Sequence, residues 1–163
     1  ALQRAGATVC HMIGQLELDI PILFIDTGVN FPETLATRDV IGQKYGLDIR
    51  TLQATQTMEQ QTSELGVLYV TPEGQKECCR LRKIEPLRAV ADQFDCLIGS
   101  LRRTEGGQRS FCPLLAADPE MNVVRINPVA CSRIHEPPSP SVSPTTIALG
   151  PNVMVGSWIC VAA

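Results

Sequence analysis

The chain has 163 residues, 44% hydrophobic and 19% charged, with a formal net charge of −3. That length suits one domain with a real core, and the composition excludes a disordered polyelectrolyte. The acidic balance argues against nonspecific nucleic-acid binding, and no apolar run approaches the roughly 20 residues that span a bilayer.

In chain order, "ATVCHMIGQL" (7–16) reads as a helix with Val9, Met12, Ile13 and Leu16 on its inner side. "IPILFID" (20–26) is a continuous apolar run of strand length, the mark of a parallel strand buried on both faces. The next helix takes Asn30 as a cap, Pro32 and Glu33 in its first turn and Gly46 as its stop, with Leu35, Ile41 and Tyr45 at helical spacing. "LDIRTLQ" (47–53) is a second strand, "TMEQQTSEL" (57–65) a short helix and "VTPEGQKE" (70–77) a loop. "CCRLRKIEPLRAVADQF" (78–94) reads as a helix interrupted or begun near Pro86, with Leu87, Val90 and Phe94 facing inward. "DCLIGSL" (95–101) and "NVVRIN" (122–127) complete the strands. This alternation predicts an α/β fold with a mostly parallel sheet flanked by helices. From residue 131 prolines accumulate and periodicity stops, so 131–163 reads as an irregular Pro-rich tail behind a domain of 1–130.

Three polar clusters fall at predicted strand ends, where ligands bind in such sheets. Asp26, Thr27 and Gly28 can line a ribose or metal site, or simply make the turn after the strand. Arg102, Arg103 and Arg109 flank Gly106-Gly107. They can close on an oxyanion such as phosphate or sulfate, or stand solvated in a loop. The third cluster is Asn127-Pro128. Residues 76–109 also hold eight of the fourteen basic residues against five acidic ones, a focus suited to a small anionic ligand.

Seven cysteines without a secretory signal imply a reducing, cytoplasmic setting in which thiols act as ligands or nucleophiles. Cys78 and Cys79 are adjacent, with Arg80, Arg82, Lys83 and Arg88 close behind. They are two ligands of a larger metal site, a vicinal disulfide, or packing residues. His11 and His135 lack ligand spacing to them. Cys10, Cys96 and Cys112 sit in apolar context and read as small core residues. Trp158 lies in the anomalous tail and carries no reading.

Taken together, "FIDTGVNFPETLATRDVIGQKYGLDI", "ECCRLRKIEPLR" and "LIGSLRRTEGGQRS" resemble the adenylylsulfate reductases of sulfate assimilation. Those enzymes share the adenine-nucleotide α-hydrolase-like fold with the phosphoadenylylsulfate reductases, a branch that lacks the tandem cysteines. The resemblance covers residues 5–130. It implies that Cys78 and Cys79 are two of four ligands of a 4Fe-4S cluster, with Lys83 between cluster and substrate. It implies that Arg102, Arg103 and Arg109 surround the phosphosulfate and that Asp26, Thr27 and Gly28 line the nucleotide pocket. The implied activity is thioredoxin-dependent reduction of adenylylsulfate to sulfite and AMP, through a cysteine thiolate that attacks sulfur.

The chain departs from that pattern in several places. The Ser-rich phosphate loop and its strand expected before "ATVCHM" are missing. So are the later C-x-x-C ligands and the E-C-G-L-H segment bearing the nucleophile. Only Cys160 is placed near the C-terminus, and its neighbours include no activating base or cation. The main alternative to the enzyme is therefore a non-catalytic remnant that at best binds an adenine nucleotide, and a third reading is a phosphoadenylylsulfate reductase, disfavoured by Cys78-Cys79. The initial Ala1 also suggests an internal or processed piece.

Overall fold

The apolar run becomes the strand Ile22–Asp26 (β1), four of whose residues are buried. Alternation along it sorts side chains to opposite faces of the sheet. Ile22 joins one core with Ala5, Val9, Cys10 and Ile13, whereas Leu23 and Ile25 join another with Leu87, Ala91 and Phe94. The computed structural model, which describes residues 4–132 and the backbone of 153–157, thus has a sheet covered on both faces. That is the layering the α/β reading requires.

The first face lies under helix Arg4–Gln15 (α1). Val9 and Ile13 point inward as read, but Met12 and Leu16 are exposed, and Ala5, Gly6 and Cys10 take the inner side instead. Met12 and Leu16 fall at the edge of an apolar stripe about 100° wide, and the small residues let the helix approach the sheet more closely. Helix Pro32–Tyr45 (α2) starts and stops as expected, with Gly46 left-handed at its end (φ 62°). Asn30 does not cap it: no side chain caps α2, and Asn30 donates instead to Asp26.

Strand Ile49–Gln53 (β2) lies parallel to β1. Helix Met58–Leu65 (α3) opens with a reciprocal cap between Thr57 and Gln60. The stretch read as a loop over 70–77 is largely helix Pro72–Cys79 (α4), begun by Thr71 accepting from the Gly74 amide and by Pro72 in the first turn. Those two signals outweigh the Gly and Pro content that suggested a loop. A single π-helical turn, Arg80–Ile84, then joins α4 to helix Glu85–Ala91 (α5). Leu87 and Phe94 are buried as read, and Val90 is half-buried.

Strands Cys96–Ile98 (β3) and Val123–Ile126 (β5) are parallel neighbours. Between them in sequence, Leu115–Asp118 (β4) pairs antiparallel with β5 and forms the sheet edge. None of its residues is buried, and its sequence LAAD has no apolar period to read.

The tail expectation needs correction at one place. Val153–Ser157 (β6) is a strand, parallel to both β1 and β3 and seated between them in the order β2-β1-β6-β3-β5-β4. The facing rows of backbone N–H and C=O on β1 and β3 need hydrogen-bonding partners, and "VMVGS" is mostly apolar and β-favouring in sequence. One strand of the sheet therefore comes from beyond the boundary drawn at residue 130. Residues 133–152 and 158–163, including His135, Trp158 and Cys160, lie outside the described residues. Among the described residues no helix is long and apolar enough to cross a membrane.

Candidate functional site

β1, β6, β3 and β5 run parallel, so the segments that follow β1, β3 and β5 leave one edge of the sheet. All three polar clusters read from the sequence lie at this carboxyl edge, where α/β folds bind ligands. Asp26 ends β1. Its Oδ1 accepts from the Gly28 amide at 2.9 Å and from Asn30 Nδ2 at 3.0 Å, and its Oδ2 accepts from Gln53 Nε2 at 3.2 Å. Burial pushes the carboxyl pKa up. Those hydrogen bonds and nearby Arg38 outweigh it and hold the group below its ordinary value. Asp26 therefore braces the turn with both oxygens. Thr27 is half-buried and Gly28 exposed at φ 75°.

The tandem cysteines reach this edge through Arg82, only 4% exposed. Its Nε donates to the Thr27 carbonyl, and its Nη1 donates to the Gln56 carbonyl at 3.1 Å and to Gln61 Oε1 at 3.2 Å. Gln61, 2% exposed, in turn donates from Nε2 to Cys78 Sγ at 3.7 Å. The π turn inserts an extra residue after the cysteines and so rotates Arg82 inward, a geometry common at functional sites. A cleft of about 390 Å³ lies alongside, lined by Ala54, Gln56, Gln61, Arg80, Arg82 and Glu85 among others. Cys78 and Cys79 are half-buried free thiols, so no vicinal disulfide joins them. Lys83 is half-buried.

After β3 the chain makes two 3-10 turns, Arg103–Glu105 and Gly107–Phe111. Arg102 Nε donates to Glu105 Oε1 at 3.2 Å, and Arg109 Nη1 pairs with Glu105 Oε2. Two of the three arginines thus converge on an anion, and that anion is the protein's own carboxylate. Arg103 turns away, donating from Nε to the Cys112 carbonyl at 2.9 Å. Its amide also ties the loop to the Ala130 carbonyl, in the segment after β5. Asn127, at the end of β5, is buried and donates from Nδ2 to the Pro113 carbonyl at 3.1 Å.

Cys10, Cys96 and Cys112 are buried, as read. Burial raises all three thiols, Cys10 to about 11, which suits inert core residues. For the implied cluster, Cys78 and Cys79 fit two of the four thiolates that it takes. Among the described residues no group of three His, Cys, Asp or Glu side chains gathers at one point. These residues alone do not complete the set. Gln61, Arg82 and Glu105 were not singled out as site residues by sequence reasoning. Arg82 lay within the basic run, but nothing local marked it as the one turned inward.

A mostly parallel sheet, with arginine-bearing turns at its carboxyl edge and the tandem thiols linked to that edge through Arg82, defines an α/β protein with a candidate site there. Residues 4–132 match the phosphoadenosine phosphosulfate reductase domain, and the chain belongs to that family. It is 34% identical over 131 residues to an adenosine 5'-phosphosulfate reductase of Rhodococcus erythropolis, covering 80% of this chain and 52% of that protein. A protein of the same name from Mycolicibacterium smegmatis is 33% identical over 131 residues, with 80% and 55% covered. The chain spans about half the length of the curated relatives it matches. Its fold resembles that of a phosphoadenylyl-sulfate reductase from Candida auris solved as a phosphate complex. The TM-score is 0.62 at 19% identity, covering 80% of this chain and 63% of the other.

Proposed function

We propose that this chain is the nucleotide-binding core of an oxidoreductase of sulfate assimilation, which reduces adenylylsulfate to sulfite and AMP in the cytoplasm. The observation that carries the reading is the Arg82 bridge, which ties the tandem cysteines to the Thr27 carbonyl on the edge that also bears Arg102 and Arg109. The matched relatives named adenosine 5'-phosphosulfate reductase support the choice of substrate.

In the proposed reaction a cysteine thiolate attacks the sulfur of adenylylsulfate, and the S–O bond to the AMP phosphate breaks with its electron pair leaving on AMP. A dithiol of thioredoxin then attacks the S-sulfocysteine. Its disulfide forms in two steps as sulfite departs and the enzyme thiol is restored. This chain's part is to bind and orient. Asp26, Thr27 and Gly28 shape the nucleotide turn, Lys83, Arg102 and Arg109 offset charge on the phosphosulfate and on the leaving phosphate, and Arg103 braces their loop through the Cys112 carbonyl. Cys78 and Cys79 serve as metal ligands, which leaves the attack to another thiol.

Calorimetry with AMP, adenylylsulfate and adenosine tests the binding half. Substituting Arg102→Ala and Arg109→Ala together is expected to weaken AMP and adenylylsulfate about tenfold or more while leaving adenosine unchanged. AMP and adenylylsulfate affinities in the double variant equal to those of wild type would overturn the assignment. Labelled adenylylsulfate with reduced thioredoxin, followed by mass spectrometry, tests the chemistry by locating any sulfonate adduct on a named cysteine.

A further inference from the structure

We propose that Cys112 and Cys131 form a redox-controlled disulfide, which staples the loop bearing Arg102, Arg103 and Arg109 to the segment after β5. The site involves neither the tandem cysteines nor any reading of the substrate.

Cys112 directly follows the second 3-10 turn of the loop, and Cys131 lies in the turn after β5. Hydrogen bonds tie these two stretches side by side. The Asn127 amide donates to the Leu114 carbonyl at 2.8 Å, and Asn127 Nδ2 donates to the Pro113 carbonyl at 3.1 Å. Arg103 joins the same stretches, donating from its amide to the Ala130 carbonyl and from Nε to the Cys112 carbonyl, each at 2.9 Å. The Ala130 carbonyl belongs to the peptide bond that enters Cys131, so a single residue touches the backbone of both cysteines. Burial raises the Cys112 thiol, Arg103 partly offsets this, and charge at Cys131 and Glu105 raises it again. Cys131 is thus close enough for its charge to be felt at Cys112.

Both thiols are free in the structure, and they differ in access: Cys131 is exposed, whereas Cys112 is only 5% exposed and inert toward reagents in solution. An oxidant therefore meets Cys131 first. With a low-molecular-weight disulfide such as oxidised glutathione, the Cys131 thiolate attacks one sulfur. The S–S bond breaks with its electron pair on the departing glutathione thiolate. Cys112 then loses its proton to solvent and attacks the Cys131 sulfur, expelling the second glutathione thiolate. Two protein thiols become one disulfide, and one glutathione disulfide is reduced to two thiols. The second step is intramolecular, and that proximity offsets the raised pKa of Cys112. The exposed turn of Cys131 and Ser132 supplies whatever movement brings the two Cα atoms to about 5.5 Å, the separation a disulfide favours. The bond makes permanent the tie that Arg103 provides through hydrogen bonds, and so restrains the loop from opening locally.

Oxidised glutathione is the probe, added to the folded, reduced chain, after which remaining thiols are blocked and the chain is denatured and digested with trypsin. Cleavage at Arg109, Arg125 and Arg133 separates the two cysteines, so the bond joins peptides 110–125 and 126–133 into one species that mass spectrometry identifies. That linked pair is the expected product. Cys112→Ser should instead keep glutathione on Cys131. On the native chain, oxidation should slow tryptic cleavage at Arg103 and Arg109 about tenfold and raise the unfolding midpoint by about 5 °C. Should Cys112→Ser fail to fold, the wild-type peptide map still decides the matter. A lasting glutathione adduct on Cys131 with Cys112 free, a Cys78–Cys79 link in its place, no oxidation at either position, or unchanged cleavage of the linked chain would each overturn the proposal.

Discussion

Arg82 Nη2 stands 2.8 Å from the point where a β-carbon on Gly28 would lie, and Gly28 has φ of 75°. Two residues far apart in sequence therefore require each other. The guanidinium can reach the Thr27 carbonyl only because the next residue has no side chain, and the turn is held in place by the guanidinium that it admits.

Gly28→Ala should accordingly destabilise the fold by about 1–3 kcal/mol, combining left-handed strain with displacement of a fixed guanidinium. Urea unfolding measures it. The same substitution in an Arg82→Lys background should cost less, because the crowding atom is gone. Equal costs in both backgrounds would show that strain alone is at work.

Arg82→Met removes the donor from the part-buried Thr27 and Gln56 carbonyls and from the buried Gln61 Oε1. The expected loss is about 3 kcal/mol or more, since buried acceptors without partners carry their full desolvation cost. Arg80→Met is the control. Arg80 pairs with Glu77 and Glu85 at the surface, and its loss should move the unfolding midpoint little. Similar effects at the two positions would contradict the inward role of Arg82.

Glu105→Gln addresses the arginine loop. The carboxylate is 15% exposed and sits against Arg102 and Arg109, where an oxyanion would compete with it. Removing its charge should raise the affinity for AMP by about fivefold, the worth of roughly 1 kcal/mol. Calorimetry reads this directly. A fall in affinity would mean that Glu105 shapes the loop for the ligand and does not compete with it.

Asp26 sets an acid-side pH dependence. Its folded pKa lies below the ordinary value, so its contribution is present in full above the unfolded pKa of about 3.9 and is lost as pH falls through the lower folded value. Wild type and Asp26→Asn should therefore differ most near neutrality and converge below about pH 4. Urea midpoints across that range measure the convergence. A constant difference would show that the hydrogen-bond geometry of the turn, and not the carboxylate charge, supplies the stability.

Local signals made much of the fold readable. The apolar run of β1 announces burial on both faces, and Gly46 ends α2 because a left-handed residue there suits glycine. The polar clusters at the ends of β1, β3 and β5 share an edge because the strands are parallel, and that too follows from the α/β pattern. Other elements had no local signature. Leu115–Asp118 is an edge strand with no buried residue and no apolar period in its sequence. Val153–Ser157 is short, follows a proline-rich stretch, and is a strand because β1 and β3 flank it.

The basic run behind the tandem cysteines divides the two kinds of information most sharply. Sequence alone determined that thiols and cations occur together there, and that a loop rich in arginine and glycine follows the next strand. It did not determine which cation turns inward, because the π turn at Arg80–Ile84 shifts the helical phase after Cys79. Only the folded chain selects Arg82, and the reason is electrostatic. A guanidinium enters the interior where enough acceptors await it, and the carbonyls of Thr27 and Gln56 and the amide oxygen of Gln61 come together only once β1, α3 and the π turn have packed.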